Sequence, residues 1–546
     1  MEVFPMIEKI LASPNRALIT LLSALLLAVI HQYLFYGREP GVSYLLFVLL
    51  FYAFMYVFAR DRIRTLTLID AWMAAVVLML ALTFLLFDNE LLRVLNFLLV
   101  PGLIILHMTY LAGRKRKQWW DLRIIGTSLD HLLPQSIRHW GTIGGIVVKA
   151  GGRGMEKSQK AVLVKVLIGL AASFPILIVV VALLTSADGV FNQYLSGFPE
   201  WLNHLTLTPG FPRILWIFIG GILLFSYVWG FVQPMEYEAE KRENAHWKNA
   251  NLLSPAAVHV SDHDHAGQKN TETESSKTVE PKTHTHSIPT GRETLKLDPI
   301  IVGTMLFVIN CVYVLFVFVQ FSYLFGAGSG HLPSDLSYAE YARSGFAELV
   351  LVTSINFLIL IVALQCTRPS GRTASIIHQV LLLILVGCTA IMLYSAFMRL
   401  HLYEQAYGYT YIRFLVHAFM IFLALLLLIA GLRIRYTSIP LLRWYIVLSL
   451  TAYAAVNYVG MDNRIAELNV ERYHKTGNID AAYLANLSAD AIPQLRKFAQ
   501  EEFPALKDHL LEREAYMNER ENSSSWPSYN VARHRAAKEL SKLRTE

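Results

Sequence analysis

The sequence predicts an all-α membrane protein: a polytopic bundle of about eleven transmembrane helices, followed by a small C-terminal soluble α-helical domain. Three observations support this fold class. Hydrophobic residues make up 54% of the 546 residues and charged residues only 16%, whereas about a quarter of the residues in typical soluble proteins are charged. The hydrophobic residues collect in runs of about 20, the length that crosses a bilayer. Residues 460–546, by contrast, are polar and place apolar residues at helical spacing.

Eleven segments are long and apolar enough to be predicted as transmembrane helices. The turns Gly37–Gly41 and Asp88–Glu90 are short, so the helices that each turn joins run antiparallel. The first run is longer than the core of a signal peptide and precedes no cleavage site, so it is predicted to be an uncleaved span. The segments are roughly Ala17–Tyr36, Val42–Phe58, Leu66–Phe87, Leu91–Ala112, Ala161–Thr185, Phe211–Val232, Pro299–Phe325, Phe346–Cys366, Ser375–Met398, Thr410–Leu432 and Ile439–Val459.

Lys and Arg collect after the second, fourth, eighth and tenth spans, and this asymmetry predicts the orientation of the chain. The alternation places the N-terminus in the cytoplasm, and an odd number of spans places the C-terminal domain outside. The predicted side of the C-terminal domain reverses if two helices have been counted as one or one helix as two. The residues concerned are Arg60, Arg62, Arg64, Arg114, Lys115, Arg116, Lys117, Arg368, Arg372, Arg433 and Arg435.

These spans divide the chain into six parts. The segment 113–160 is basic and rich in Trp and Gly, but it lacks G-K-[ST] and a preceding strand, so it is predicted to lie on anionic lipid rather than to bind a nucleotide. The parts are a four-helix transmembrane part (1–112), this cytoplasmic juxtamembrane segment (113–160), a transmembrane pair (161–233), a disordered cytoplasmic linker (234–298), a five-helix transmembrane part (299–459) and the helical domain (460–546).

The linker 234–298 carries five histidines, which are candidate metal ligands because neutral imidazoles near aspartates bind zinc and similar ions. They are His259, His263, His265, His284 and His286. The alternative interpretation is a solvated tether whose histidines are incidental, since no matching ligand pattern occurs in the spans. The three cysteines have no paired spacing, which predicts neither a disulfide framework nor a metal knot. No cofactor is predicted, and the net charge of +7 lies in loops, which argues against nucleic acid as a partner.

Polar residues at the start of the eighth span form the first candidate site. Tyr341 and Glu348 are seven residues apart and share one helical face, whereas Glu340 and Arg343 are three apart and can pair on another. Glu348 therefore needs a partner from a neighbouring helix, a proton or water. Asn356, farther along the same span, is a second polar residue that needs a partner.

The segment RLHLYEQAYGYTYIRF supplies the second candidate site. Gly408 is predicted to end one helix and Thr410 to cap the next. Arg413 then lies in the first turn of that helix, where a cation opposes the helix dipole, so the sequence predicts a fixed anionic partner, and Glu348 is the candidate. The alternative is an aromatic belt with snorkelling arginines. With Asp188 from a third outer element, the outer-face cluster, functional or structural, comprises Asp188, Tyr341, Arg343, Glu348, Asn356, Arg399, Tyr403, Tyr407 and Arg413.

Six segments in order resemble a bacterial membrane family catalogued as a domain of unknown function, family 4173, which is related to family 4153. They are SADGVF, YAEYARSGFAEL with the later Asn356, RLHLYEQAYGYTYIRF, NRIAELNVERY, IDAAYLANLSADAIPQL and SYNVARHRAAKEL, and they extend over roughly residues 161–543. YGYT at Tyr407–Thr410 departs from an expected YGLT. The resemblance implies a bacterial plasma-membrane protein and supplies no activity, catalytic residue or cofactor.

Two functions remain open from the sequence. The first is a non-enzymatic sensor, signalling or scaffold protein that works through its extracytoplasmic face with a membrane or envelope protein partner, because the unusual motifs fall on that face. The second is a transporter of a small solute or metal cation, although no inverted repeat is visible. An enzyme is not predicted, since no H-E-x-x-H or G-x-S-x-G motif occurs. The polar residues within spans that favour transport are Glu348, Asn356, His378, His417 and Asn457.

Overall fold

A computed structural model describes residues 15–113, 118–151, 210–234, 298–326, 346–366, 371–523 and 525–545. All regular secondary structure in these ranges is helical. Eight helices within them are long and apolar enough to cross a membrane. The prediction of an all-α polytopic helix bundle is therefore confirmed.

The first half of the bundle begins with two antiparallel helix pairs. These helices are α1 (Arg16–Phe35), α2 (Val42–Ala59, followed by a 3-10 turn Arg60–Arg62), α3 (Leu68–Leu86) and α4 (Glu90–Ala112). Thr67 and Asp70 form a capping box at the start of α3, and the Asn89 side chain accepts a hydrogen bond from Leu92 N–H at the start of α4. These caps satisfy main-chain donors that a helix leaves unpaired at its N-terminus, so both turns have defined ends.

The chain then forms a helical juxtamembrane segment and one more long helix. The elements are α5 (Arg123–Asp130), a π-helical turn His131–Gln135, a short turn Ser136–Arg138, α6 (Trp140–Gly151) and α7 (Gly210–Val232). Helix α7 runs antiparallel along α1, with Trp216 Nε1 donating to His31 Nδ1 at 3.2 Å. His131 stacks on Phe231 of α7 at a ring distance of 3.5 Å. Part of the segment predicted to lie on lipid is thus packed against protein.

The second half contains five helices. They are α8 (Pro299–Gly326), α9 (Phe346–Cys366), α10 (Arg372–Tyr407), α11 (Tyr411–Arg435) and α12 (Leu441–Tyr458). With 36 residues, α10 is about 54 Å long, well beyond the hydrocarbon core of about 30 Å. Helix α12 contacts both halves, because Tyr458 donates to Met79 O at 2.7 Å and Tyr445 donates to Leu426 O at 3.3 Å.

Ten of the eleven predicted spans coincide with these helices, and the segment Ala161–Thr185 lies outside the described residues. Eight of the ten are long and apolar enough to cross a membrane as single helices. In α9 the part with described side chains, Leu349–Gln365, is a shorter apolar helix. Helix α12 is long and apolar enough to cross a membrane only when it is joined to the helix that follows it. The two helices are bent by 62° relative to each other.

Five α-helices follow the last span, and we call residues 461–545 the C-terminal helices. They are α13 (Met461–Thr476), α14 (Ala481–Ala485), α15 (Ile492–Glu501), α16 (Ala505–Ser523) and α17 (Val531–Thr545), with 3-10 turns at Ala489–Ala491 and Trp526–Ser528. Gly477, at φ +71°, ends α13, and Ser488 caps the turn that precedes α15. Ile465, Leu495 and Leu540 lie in a common buried apolar core.

The two ends of the bundle differ in what lies on them. The C-terminal helices contact the turns 36–41, 87–89 and 408–410, which we call the covered face. The opposite end, which we call the basic face, is formed by residues 60–67, 118–123 and 433–443. The C-terminal helices bind the bundle through polar contacts at the covered face.

Candidate functional site

Oppositely charged side chains from distant parts of the chain meet where the C-terminal helices contact the covered face. Glu39 Oε2 lies 2.6 Å from Arg520 Nη2 and 2.5 Å from Arg533 Nη1. Arg533 Nε also lies 3.3 Å from Asp88 Oδ1, and Arg93 Nη1 lies 3.6 Å from the same oxygen. The side chains of Arg533 and Asp88 are only 5% and 9% exposed. This ion network therefore links the first two turns of the covered face, 36–41 and 87–89, to α16 and α17.

The two carboxylates of the network have opposite pKa shifts. Burial alone would raise the pKa of Glu39, but the hydrogen bond from Arg520 and the charge of Arg533 hold it below its usual value. Burial raises the pKa of Asp88, and the attraction of Arg533 and Arg93 offsets this only in part. Glu39 is thus the more firmly ionised of the two.

Two further carboxylates of the C-terminal helices bind the turn between α3 and α4. Asp88 N–H donates to Asp490 Oδ2 at 2.8 Å, and Asn89 Nδ2 donates to Asp462 Oδ2 at 2.6 Å. Asp462 Oδ1 also accepts from Ser488 N–H at 2.9 Å. Burial, together with repulsion from Asp462 and Asp88, raises the pKa of Asp490 to about 6 despite its two hydrogen bonds. Asp490 therefore binds a proton at a higher pH than an ordinary aspartate does.

Asparagine side chains attach the C-terminal helices to main-chain groups of both halves of the bundle. Asn530 Nδ2 donates to the carbonyl oxygens of Phe84 and Phe87 at 2.9 Å. In the second half, Asn469 accepts from Tyr409 N–H at 3.0 Å and donates to Tyr409 O at 2.9 Å. A shift of the C-terminal helices would consequently break hydrogen bonds in both halves.

Two glycines allow this close approach. A Cβ on Gly41 would lie 2.5 Å from main-chain atoms of Ser528 and Tyr529, so only glycine fits there. Gly408 ends α10 at φ +83°, as predicted, and a Cβ on it would lie 2.7 Å from Asn469 Oδ1. Both turns are therefore shaped to accept the C-terminal helices.

A buried polar cluster lies within the bundle, next to the junction between the C-terminal helices and the covered face. Asn96 Nδ2 donates to Asn457 Oδ1 at 2.7 Å and to Thr83 Oγ1 at 3.0 Å. Tyr453 donates to Asn96 Oδ1 at 2.7 Å. A small cavity lies between this cluster and Asp462 and has Thr83 and Asn457 in its wall. Polar contacts thus continue from the junction into the membrane-spanning part.

Four of the nine members of the outer-face cluster predicted from the sequence fall wholly or in part outside the described residues. Asp188, Tyr341, Arg343 and the five linker histidines are outside the described residues, and Glu348 lies in α9 with its side chain outside them. The predicted pair of Glu348 with Arg413 consequently stays a prediction. Among the described residues, no group of three or more His, Cys, Asp or Glu could hold a metal ion.

Four described members of that cluster lie toward the end of α10 or at the start of α11: Arg399, Tyr403, Tyr407 and Arg413. Arg413 is in the first turn of α11, as predicted, donates to Gly408 O and lies 4.4 Å from the Tyr403 ring. The rings of Tyr403 and Tyr407 are 4.8 Å apart. Thr410 occupies the N-cap position, although its side chain accepts no capping hydrogen bond. Arg399 precedes these residues on α10. The two interpretations of this segment, an outer-face site and an aromatic belt, both stay predictions.

The polar residues predicted within the spans mostly have partners in the bundle. Asn356 accepts from Tyr313 at 2.6 Å and donates to Thr389 at 3.0 Å. His417 Nδ1 lies 3.0 Å from Glu404, whose side chain is 1% exposed. The sequence indicated His417 as a polar residue within a span but not Glu404, although Glu404 lies in the segment RLHLYEQAYGYTYIRF of the second candidate site. His378 lies beside α8, where its Cε1 would be 3.3 Å from a Cβ on Gly303.

Sequence reasoning also missed the ion network. Glu39 and Asp88 lie in short turns that were considered only as connections, and Arg533 lies in a helix with many other charges. One available signal was the spacing of Arg513 and Arg520, which are seven residues apart and therefore share a face of α16. Arg513 donates to the carbonyl oxygens of Ala485 and Leu487, and Arg520 reaches Glu39.

Comparison with known proteins places this architecture in a family. A family model described as "Domain of unknown function (DUF4153)" matches residues 74–498, more than three quarters of the chain. No curated protein and no solved structure matches the chain. The match runs from α3 into α15 and so includes the turn Asp88–Glu90, Asp462 and Asp490. The chain therefore belongs to the DUF4153 family of domains of unknown function.

Proposed function

We propose that this multi-pass membrane protein is a non-enzymatic sensor, signalling or scaffold protein whose working surface is the covered face with its C-terminal helices. The observation that carries the proposal is that one set of C-terminal helices holds turns of both halves of the bundle. Asn530 and Asp490 hold the turn between α3 and α4, while Asn469 holds the turn between α10 and α11. A partner that moved the C-terminal helices would therefore act on both halves.

The covalent connection supports the same proposal. Helix α12 packs on both halves and continues into α13 through Gly460, at φ +68°, with a bend of 62°. Asn457, one turn before that bend, is hydrogen-bonded to Asn96 of the first half. A change in the position of α13 would thus be transmitted to the buried polar cluster through α12, which makes the junction suitable for signalling.

The orientation of the protein is part of the proposal. The three turns of the covered face contain a single basic residue, Arg38, whereas basic residues collect at the opposite end. By the positive-inside rule the basic face is cytoplasmic, the N-terminus is cytoplasmic and the C-terminal helices are extracytoplasmic. We further propose the plasma membrane of a bacterium as the compartment, a membrane or envelope protein as the partner, and family 4173 as the more specific family.

The coupling between the halves can be tested by hydrogen exchange of the full-length protein in lipid nanodiscs. Asn530→Ala removes two hydrogen bonds to the turn after α3. We expect faster exchange at Phe87–Asn89, where contacts are lost directly, and also at Gly408–Tyr411, which Asn530 does not touch. Glu471→Gln on α13 is the control, because Glu471 and Lys475 form an exposed pair and its loss should change neither turn.

The result at Gly408–Tyr411 decides the proposal. If Asn530→Ala changes exchange only at Phe87–Asn89, the C-terminal helices do not couple the two halves. Proteoliposomes of the same preparation should show no solute flux that depends on the protein.

A transporter of a small solute or metal cation is the second proposal, and a cavity in the first half favours it. The cavity has a volume of about 640 Å³ and lies between α1, α2, α4 and α7. It is lined mainly by aromatic and aliphatic side chains together with His31 and Arg38. Cavities between helices of a bundle are common ligand sites. Asn356 and Asn457, which the sequence associated with transport, are paired elsewhere and are not in its wall. Flux that is abolished by His31→Ala would establish this function in place of the first.

A further inference from the structure

The geometry points to a phosphate-binding pocket on the basic face, formed by Arg433, Arg443 and Trp120. The pocket has a volume of about 230 Å³ and lies where α11 ends and α12 begins. Its wall also includes Gln365 from the end of α9. It is on the opposite end of the bundle from the junction at the covered face, so the inference does not depend on the proposed function.

Arg443 occupies a helix position that is unfavourable for a cation. It is the third residue of α12, and its positive charge there opposes the helix dipole. Its guanidinium carbon lies only 3.2 Å from the centre of the Trp120 ring, which fixes the side chain in place. Its Nε is buried and has no hydrogen-bond partner, and within the described residues Arg443 makes no ion pair. An anion in the pocket would remove both costs.

Arg433 provides a second cation that has a buried nitrogen atom without a hydrogen-bond partner. It lies in the last turn of α11 and lines the same pocket. Its Nη1 is buried without a hydrogen-bond partner, and in the described part of the chain no carboxylate pairs with it. A buried donor that lacks a partner costs free energy. An arginine that merely snorkels to the membrane surface would keep its charged end in water instead.

The start of α12 adds a third favourable element. The first N–H groups of a helix have no partners within the helix, and the dipole there attracts anions. Pro440 precedes the helix, and its carbonyl accepts from the main-chain N–H of Arg443 and Trp444. Leu441 and Leu442, the first residues of this 18-residue helix, are in the pocket wall. Two arginines and the first residues of a helix thus line one small pocket.

This combination fits a phosphate group better than a carboxylate. Guanidinium groups present planar pairs of donors that match phosphate oxygens, and phosphate has enough acceptor oxygens for two arginines and a helix N-terminus together. The pocket lies at the end of the membrane-spanning helices, where basic pockets bind phospholipid head groups. The ligand is therefore a phosphate-bearing anion, either an anionic phospholipid or a soluble phosphate compound.

The test uses the full-length protein in a neutral detergent and measures thermal unfolding while a ligand is titrated. The ligands are phosphatidylglycerol, phosphatidylcholine and inorganic phosphate. The variants are Arg433→Gln and Arg443→Gln, and the matched control is Arg435→Gln. Arg435 lies on the same helix end, exposed and next to Tyr436, and it is not in the pocket wall.

We expect phosphatidylglycerol to raise the unfolding temperature and phosphatidylcholine not to do so. The apparent affinity should fall about tenfold in each pocket variant, since each loses a charge-assisted hydrogen bond, and remain unchanged in Arg435→Gln. Stabilisation by inorganic phosphate alone, lost in the same variants, would identify a soluble phosphate as the ligand.

Two results would overturn the inference: no stabilisation by any of these anions, or equal stabilisation of the wild-type protein and both pocket variants. Loss of Arg443 could also prevent folding. Arg443→Lys then replaces it, because lysine keeps the charge but loses the planar donors, and its affinity for the same ligand should lie between the wild type and Arg433→Gln. Native mass spectrometry of co-purified phosphatidylglycerol gives a second measure, and bound lipid that persists in both variants contradicts the pocket.

Discussion

The covered face and the basic face use arginine in different ways. At the covered face, Arg533 and Arg520 are paired with Glu39, and Arg472 donates to the carbonyl oxygens of Gln405 and Ala406. At the basic face some arginines are also paired, as Arg64 is with Asp70. Arg433 and Arg443, however, have buried nitrogen atoms without a hydrogen-bond partner, and no carboxylate among the described residues pairs with either arginine.

The difference indicates whether the charges of each face are compensated by the chain itself or by a bound ligand. The charges of the covered face are compensated by the chain itself, so they hold the C-terminal helices in position. In the pocket of the basic face, no carboxylate of the described residues compensates the two arginines, and the proposed anion would do so. The same residue type can therefore act as a structural contact at one end of a bundle and as a ligand site at the other. The following predictions test this comparison, from the largest expected effect to the smallest.

Removing Arg533 should have the largest effect. Arg533→Ala would leave buried Asp88 with only the longer contact to Arg93 and would leave Glu39 with Arg520 alone. Removing one partner of a buried ion network leaves an uncompensated charge, so we expect a loss of about 3 kcal/mol in the free energy of unfolding. Denaturant-induced unfolding followed by tryptophan fluorescence measures this, because Trp526 lies in the C-terminal helices.

Arg464→Ala is the matched control for that prediction. Arg464 pairs with Glu467 at the surface of α13, with half of each side chain exposed. Exposed pairs contribute about 0.5 kcal/mol or less. Equal effects of the two substitutions would mean that the covered face is not held together by its buried charges.

Adding a methyl group at Gly41 should weaken the covered face by a smaller amount. The Cβ of Gly41→Ala would lie 2.5 Å from main-chain atoms of Ser528 and Tyr529, which cannot move as a side-chain end can. We expect destabilisation of about 2 kcal/mol and faster proteolysis of the C-terminal helices. Gly387→Ala is the control, because nothing lies within 4 Å of its Cβ; if it has the same effect, close approach at Gly41 is not the cause.

The two faces should respond to acid with opposite signs. The pKa of Asp490 is raised by burial to about 6 from 3.8, so its contribution to stability is full below about pH 4 and is lost as the pH rises through 6. The pKa of His131, near the basic face, is lowered by burial to about 4 from 6.5. Its contribution is full above pH 6.5 and is lost as the pH falls toward 4.

This difference can be measured by thermal unfolding at pH 5 and pH 7.5. Asp490→Asn should reduce the stability at pH 5 relative to pH 7.5, and His131→Gln should increase it, each by on the order of 1 kcal/mol. Asp88, whose pKa is also raised by burial, should preserve part of the pH dependence of stability in the Asp490→Asn variant. Changes of the same sign in both variants would contradict the comparison.

Much of the fold follows from the sequence because hydropathy and helix ends are local properties. A run of about 20 apolar residues must form a helix in a membrane, since no water is present to satisfy its main-chain groups. Gly408 and Gly477 end helices at positive φ, a conformation that glycine adopts at little cost. These features need only a few neighbouring residues, so the predicted spans and the observed helices agree closely.

The candidate site could be predicted only in part. The sequence correctly places Arg413 in the first turn of a helix, and the expected anionic partner, Glu348, has its side chain outside the described residues. The same argument applies to Arg443 in the first turn of α12, but its significance depends on Trp120, more than 300 residues earlier in the chain. An unfavourable position identifies a residue of interest, whereas its partner depends on how helices pack.

The sequence by itself determined the all-α class, the positions of the spans and the helical character of residues 461–545, because each depends on hydrophobicity and spacing within one segment. Only the tertiary structure decided which charges meet. Glu39 and Arg533 are almost 500 residues apart, and Asp88 and Asp490 about 400 apart. Their contacts exist because the C-terminal helices return to the first two turns of the covered face. An ion pair requires a distance of a few ångströms, and that distance is set by the packing of the whole bundle.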